Sequence, residues 1–199
     1  MLFRSPKLLA VALAGRGVEV TCVDEFAGEI DTWQALAGDI SGLDLQVGDG
    51  RALAFADASF DHAYSISVLE HIEGDGSQSA LAELARVVRP GGKVLVTLPY
   101  AATYREDWRD RPVYAAHEPV DGRYFFQRWY DDEHLDRLVA AAPSLELVSR
   151  EVVRMEPNWN AAYTRTFPWL LPLGPFYGLI ARERAGGGGD VVRLALTRR

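Results

Sequence analysis

The sequence has little cysteine, no excess of positive charge and no long apolar run, and each shortage excludes a class of protein. Cys22 is the single cysteine among 199 residues, so neither an intrachain disulfide framework nor a cysteine-based metal site can form. The formal net charge of -7 argues against broad, non-specific binding to nucleic acid. We therefore expect a cytoplasmic protein, in a reducing compartment, that does not act on nucleic acid.

Two apolar segments superficially resemble membrane signals. Residues 8–14 follow two basic residues, which is the layout of a signal peptide, but we interpret them as part of a globular helix. Residues 167–181 are fewer than the roughly 20 that a membrane-spanning helix needs, and three prolines interrupt them. The sequence predicts no transmembrane segment.

Helical and strand-like patterns alternate along the chain. Residues 18–23 are almost continuously apolar, as in a parallel strand covered on both faces, whereas Ile30, Trp33 and Leu36 recur at helical spacing. The predicted helices cover residues 5–14, 27–40, 77–89 and 131–142, and the predicted strands cover residues 18–23, 43–47, 60–68, 93–98, 145–155 and 190–197. This order, in a chain of 199 residues, predicts one α/β domain over residues 1–199.

Acidic residues follow two successive predicted strands. Asp24 and Glu25 come directly after one strand, and Asp49 lies between Gly48 and Gly50 after the next. Open α/β sheets bind ligands outside the carboxyl ends of their parallel strands. We therefore expect these carboxylates to lie near one another at a ligand-binding edge.

Further motifs accompany these acids. Phe60-Asp61 opens the next predicted strand, the run VLEHI follows at residues 68–72, and Arg-Pro-Gly-Gly at residues 89–92 precedes another strand. Together with the acids, these motifs resemble the class I S-adenosylmethionine-dependent methyltransferases of the type 11 kind. The resemblance covers residues 5–100 well and the C-terminal half in outline.

The resemblance implies a fold, a cofactor and an activity. The fold is a Rossmann-like, mostly parallel sheet with flanking helices and an antiparallel C-terminal strand, in which residues 1–100 form the cofactor-binding half. The cofactor is S-adenosylmethionine, and the activity is methyl transfer to a small-molecule acceptor. No metal ion is implied, and the histidines show no metal-ligand spacing.

The resemblance also implies roles for the residues after the strands. Asp24 would accept hydrogen bonds from the ribose hydroxyls, with Glu25 as the alternative. Asp49 would accept a hydrogen bond from the adenine amine, while the backbone N–H of Gly50 or Arg51 meets a ring nitrogen. The competing interpretations are a solvated acid or helix cap for Asp24 and an Asx turn for Asp49.

Three further residues are candidates at the end of the strand that begins at Phe60. Ser65 and Ser67 could contact the methionyl part of the cofactor, although strand alternation explains them almost as well. His71 is the candidate catalytic residue, because an imidazole can accept the proton of an acceptor hydroxyl. A structural role for His71 in its loop is the alternative that we favour.

The family's first strand and its Gly-x-Gly loop are missing from the sequence. Residues 1–3 offer three apolar positions where a strand typically has about five or six. In the family this strand is central, and each buried backbone group orphaned by its loss costs about 1–3 kcal/mol. We expect a truncation, a repair by residues 1–4, or a partner chain or second copy that completes the sheet.

Two long aromatic connections, residues 101–130 and 156–187, are predicted cap insertions. They would shape an acceptor pocket for an apolar or aromatic molecule, or their aromatic residues would complete the core. Two other functions stay open. One is a non-catalytic binding or scaffold subunit; the other is an NAD-dependent oxidoreductase, which also carries an acid like Asp24, although Asp49 and the VLEHI run count against it.

Overall fold

The expected alternation of helices and strands is present in a computed structural model, which describes residues 7–113, 118–153 and 190–199. The helices are α1 (Lys7–Ala14), α2 (Ala27–Ala37), α3 (Gly76–Val87) and α4 (Asp132–Ala140), with a short 3₁₀ helix at Leu69–His71. The strands are β1 (Val20–Asp24), β2 (Leu43–Val47), β3 (Phe60–Ile66), β4 (Val88–Tyr100), β5 (Arg105–Arg109), β6 (Tyr124–Trp129), β7 (Leu145–Val153) and β8 (Asp190–Arg198). The predictions for residues 1–6 and for the insertion at 156–187 lie outside the described residues.

The described strands form three separate sheets. β1 and β2 form a parallel pair, and a four-stranded sheet has the order β3-β4-β8-β7. β3 and β4 are parallel, whereas β8 runs antiparallel to both of its neighbours, as expected for the C-terminal strand. β5 and β6 form an antiparallel hairpin within residues 101–130, which the mixture of charged and aromatic residues there did not predict. The Rossmann-like α/β class is confirmed.

Strands β1 and β3 belong to different sheets, and no described strand joins them. The predicted loss of the family's first strand concerns residues outside the described part of the chain and stays a prediction. The two edges are nevertheless neighbours, since the Cys22 thiol of β1 lies close enough to Tyr64 in β3 to affect its ionisation. Burial, with this thiol as the smaller cause, raises the pKa of Tyr64 to about 12. Within the described residues, the β1–β2 pair and the four-stranded sheet therefore lie side by side.

The two parts of the sheet have unequal cores. The larger core lies among β4, β8, α3 and α4, where Leu81, Val96 and Leu194 are fully buried. The smaller core, beside β1, has only Ala10, Val20 and Cys22 as buried members.

Helix α2 shows the consequence of the small core. Ile30 is its one buried residue, and Leu36, predicted for the same face, is 72% exposed. A helix can bury its apolar face only against another layer, and here that layer is a two-stranded sheet.

The Arg-Pro-Gly-Gly motif separates α3 from the straight part of β4. The pairing of β3 with β4 shifts register at this point, so residues 89–92 bulge away from the ladder. Gly91 has a φ of 80°, which glycine adopts without steric cost.

No helix in the described part of the chain is both long and apolar enough to span a membrane.

Candidate active site

The two predicted cofactor-binding carboxylates stand at one edge of the β1–β2 pair. Asp24 is the last residue of β1 and lies opposite Val47, the last residue of β2. The amide of Gly48 donates to the carbonyl of Asp24 at 2.9 Å, and Asp49 follows directly. Because the strands are parallel, both acids extend from the edge at which such sheets bind ligands.

A buried lysine holds Asp24. The Nζ of Lys7 lies 2.6 Å from Oδ2 of Asp24 and 3.7 Å from Glu29, and the lysine side chain is 2% exposed. Oδ1 of Asp24 accepts the amide of Phe26 at 2.9 Å. These two bonds use two of about four acceptor positions on the carboxylate, so Asp24 keeps capacity for a ligand hydroxyl.

The carboxylate of Asp49 accepts its hydrogen bonds from Arg51, two residues along the chain. Its Oδ1 accepts the Arg51 amide at 2.8 Å, which is the Asx turn weighed above, and the Arg51 guanidinium spans both oxygens at 2.8 to 3.0 Å. The side-chain hydrogen bonds of Arg51 lower the pKa of Asp49. Both side chains are about half exposed, and such pairs are worth about 0–1 kcal/mol, so a ligand can displace the guanidinium at little cost.

The backbone next to Asp49 is open at Gly50. A Cβ atom on Gly50 would meet no other atom within 4 Å, whereas the Arg51 amide already donates to Asp49. Of the two predicted backbone donors, Gly50 is therefore the more accessible. Glu25, the alternative ribose ligand, is exposed and near enough to Arg51 to act on its charge.

The end of β3 has a strained turn at one of the predicted site residues. Ser67 has a φ of 50°, and its amide lies 3.1 Å from the carbonyl and 3.2 Å from Oγ1 of Thr97. Non-glycine residues at positive φ cost about 1–3 kcal/mol and cluster at functional sites. Ser65, in contrast, is buried within β3. Backbone geometry therefore distinguishes two serines that the sequence pattern could not.

His71 contacts the hairpin that follows β4. Its Nδ1 lies 2.6 Å from the carbonyl oxygen of Phe126, and its Nε2 lies 3.6 Å from the buried carboxylate of Glu70. A carbonyl oxygen can only accept, so Nδ1 carries the proton in this contact. This pairing attaches the VLEHI segment to β6 and supports the structural interpretation of His71.

An acid and a base on α3 hold the loop after Asp49, and sequence reasoning did not identify them. Glu83 accepts the Leu53 amide at 2.7 Å, while Arg86 donates to the carbonyls of Leu53 and Phe55 at 2.9 and 2.7 Å. Hydrogen bonds from Arg86 lower the pKa of Glu83. Their spacing of three residues is that of an ordinary helix-surface ion pair, so the sequence contained no distinguishing signal. Lys7 was also missed, because it lies in an apolar helical run.

The described residues hold no group of three or more His, Cys, Asp or Glu side chains that could bind a metal ion. They do place two carboxylates, an open backbone amide and a strained turn at the carboxyl ends of neighbouring strands. Such an arrangement can bind the sugar and base of a nucleoside through directed hydrogen bonds.

Known proteins resemble this chain most clearly in its N-terminal half. Residues 6–96, a little under half of the chain, match the family described as "Methyltransferase domain". An O-methyltransferase (resE) of Aspergillus sclerotiorum is 37% identical over 91 residues, which are 44% of this chain and 34% of the relative. A demethylmenaquinone methyltransferase of Renibacterium salmoninarum is 39% identical over 84 residues, 42% of this chain and 33% of the relative. The predicted resemblance is confirmed over these residues.

A solved structure extends the likeness of fold to nearly the whole chain. A SAM-dependent methyltransferase from Methanosarcina mazei superposes with a TM-score of 0.63 at 14% identity, covering 95% of this chain and 86% of that one. At this identity the likeness establishes the fold alone. The chain spans about a third of the length of the two relatives compared above.

Proposed function

We propose that this chain, which has the methyltransferase fold and a methyltransferase domain match over residues 6–96, binds S-adenosylmethionine and methylates a small-molecule acceptor. The observation that carries the proposal is the pair of carboxylates, Asp24 and Asp49, at one edge of adjacent parallel strands. When bound, the cofactor would supply an activated methyl group carried on a positively charged sulfur. Relatives named O-methyltransferases favour an oxygen acceptor.

The contacts support a division of roles. Asp24, oriented by Lys7, accepts from the ribose hydroxyls, with exposed Glu25 beside it. Asp49 accepts the adenine amine once Arg51 moves aside, and the open backbone of Gly50 meets a ring nitrogen. The protein's remaining task is to align donor and acceptor and to exclude water.

The turn after β3 supports a further role. Ser67 presents strained backbone toward the methionyl part of the cofactor, whereas buried Ser65 supports the strand. We assign His71 to positioning of the loop, because both of its ring nitrogens face protein groups.

Calorimetric titration with S-adenosylmethionine and with its demethylated product tests the proposal. We expect Asp49→Asn to weaken binding at least about tenfold, which corresponds to about 1.4 kcal/mol. Asp44→Asn is the matched control, because Asp44 lies on the same strand away from its carboxyl end and bonds only to Gln46 among the described residues. NADH is expected not to bind, and binding of NADH in place of the cofactor would favour the oxidoreductase alternative.

A second candidate, a non-catalytic binding subunit, rests on one observation, that no described strand joins β1 to β3. A variant extended at its N-terminus by one strand and a Gly-x-Gly loop separates the two. If only the extended variant binds the cofactor, the enzyme needs that strand, from its own chain, a partner chain or a second copy. If neither form binds, the proposed methyltransferase activity is contradicted.

A reducing cytoplasmic location is consistent with Cys22, which is free and buried.

A further inference from the structure

A concave site lies where the β5–β6 hairpin meets the start of α3 and one side of α4. It is a cavity of about 320 Å³, within the size range of small-molecule sites. Its lining includes Ser77, Tyr104, Arg128, Tyr130, His134 and Leu138, together with the ionisable side chains of Asp75, Glu106 and Arg137. Nothing in the cofactor assignment uses these side chains.

Arg128 is a buried cation with donors to spare. Its side chain enters from β6 and donates to Oγ of Ser77 at 2.7 Å and to the carbonyl of Gly74 at 3.0 Å. The residue is 5% exposed, and its Nε has no hydrogen-bond partner in the described part of the chain. The Oε1 atom of Glu106 lies 3.9 Å from this Nε, beyond hydrogen-bond distance. A guanidinium has five N–H donors, so several can serve a ligand.

Tyr130 adds a second buried donor next to Arg128. It is 3% exposed, and its hydroxyl has no well-formed hydrogen bond to any described residue. Burial is the largest cause of the raised pKa of Tyr130, and Ser77 and Arg128 beside its hydroxyl act in the opposite direction, so the phenol stays protonated and can donate. Glu106 forms no hydrogen bond with the Nε of Arg128 or the hydroxyl of Tyr130. Its oxygens accept instead from the hydroxyl of Tyr104 at 2.8 Å and from Nε1 of Trp108 at 3.2 Å. Buried unpaired donors are costly, and an oxyanion would satisfy them.

Two stacked rings form another part of the cavity lining. The rings of Tyr104 and His134 stack 3.8 Å apart with an angle of 10° between their planes. Asp131 fixes this arrangement, since its Oδ1 lies 2.7 Å from Nδ1 of His134 and its Oδ2 accepts the Tyr104 amide at 3.0 Å. Leu138 adds an apolar side chain. Stacked rings held in one orientation suit a planar, aromatic ligand.

We infer that this cavity binds a small aromatic carboxylic acid, with its carboxylate on Arg128 and Tyr130 and its ring beside Tyr104 and His134. The inference rests on the proposed function only in identifying this acid as the class of methyl acceptor. Binding of the acid itself requires no cofactor.

Titration calorimetry without cofactor tests the site with 4-hydroxybenzoate and its uncharged analogue 4-hydroxybenzamide. We expect the benzoate to bind at least tenfold more tightly than the amide. Arg128→Gln should weaken benzoate binding at least tenfold, and Tyr130→Phe, which removes one hydroxyl, about threefold. Arg123→Gln is the control, because Arg123 is exposed near the hairpin tip and donates to the Trp108 carbonyl outside the cavity.

Three results would overturn the inference: equal affinity for the acid and the amide, no binding of either, or wild-type affinity in both cavity variants. Tyr130→Phe keeps the test decisive if Arg128→Gln, which also loses the bonds to Ser77 and Gly74, fails to fold. Acid binding without any cofactor binding would support the cavity and contradict the proposed function. Cofactor binding without acid binding would contradict the inference about the cavity and leave the proposed function supported.

Discussion

At the scale of single residues, burial distinguishes two ion pairs of similar chemistry. Lys7 is almost fully buried against Asp24, whereas Arg51 and Asp49 are both about half exposed. Water competes for the hydrogen bonds of the exposed pair and solvates each charged group when the pair separates, but it cannot reach the ammonium group of Lys7. Asp24 is therefore a fixed part of the site and Asp49 an adjustable one.

This difference predicts unequal costs for two variants of one ion pair. Asp24→Asn leaves a buried ammonium facing the half-exposed Glu29 and should lower the free energy of unfolding by about 3 kcal/mol. Lys7→Met leaves a carboxylate that is 26% exposed and still accepts the Phe26 amide, so we expect about 1 kcal/mol. Urea denaturation measures both. Equal losses would contradict the assigned burial, and Asp49→Asn, at under about 1 kcal/mol, is the surface control.

At the scale of elements, the helices were predictable where sequence signals agreed with packing. Helix α4 has acids in its first turn, and its apolar residues Leu135 and Leu138 are buried, as the pattern indicated. The face predicted for α2 is mostly exposed, because periodicity shows which side of a helix is apolar but not whether a layer covers it. The β5–β6 hairpin was missed because β5, with sequence REDWR, lacks apolar alternation.

The cap of α4 predicts an acid-dependent loss of stability. Asp131 accepts the His134 amide at 3.0 Å, and this bond, followed by that to the His134 ring, lowers the pKa of Asp131 to about 2. An unfolded aspartate titrates near about 3.9. The folded value is lower, so the stabilisation is fully present above about pH 4 and is lost as the pH falls toward 2.

Asp131→Asn should therefore show a smaller decrease in unfolding free energy than the wild type over this range of pH. Urea unfolding at several pH values between 4 and 2 measures the slope. Asp39→Asn, at an exposed aspartate beyond α2, should keep the wild-type slope. Parallel slopes for wild type and Asp131→Asn would contradict the cap assignment.

At the scale of the whole molecule, the described strands form two units, the β1–β2 pair and the four-stranded sheet with its helices, each with its own core. Among the described residues, sixteen buried residues form the core around β4 and β8, but three form the core beside β1. The β1–β2 unit has fewer buried apolar residues to hold it, so it should open at a lower free energy.

We expect native-state hydrogen exchange to show two levels of protection, lower in β1 and β2 than in β4 and β8. Leu194→Ala, at a fully buried site, should lower the stability of the larger unit by about 2–5 kcal/mol. Val20→Ala, in the smaller cluster, should accelerate exchange in β1 and β2 alone. One common unfolding free energy for all four strands, in the wild type and both variants, would contradict the division.

The sequence alone determined the class of fold, the order of its elements and the placement of Asp24 and Asp49 at strand ends. These features follow from hydrophobic periodicity, turn residues and motif spacing, which are local along the chain. Tertiary structure alone decided that Lys7 binds Asp24, that Glu83 and Arg86 on α3 hold the loop after Asp49, and that Arg128 enters a cavity beside Tyr130. Such contacts join residues 17 to 54 positions apart, and burial, which sets their strength, exists only once the layers have packed.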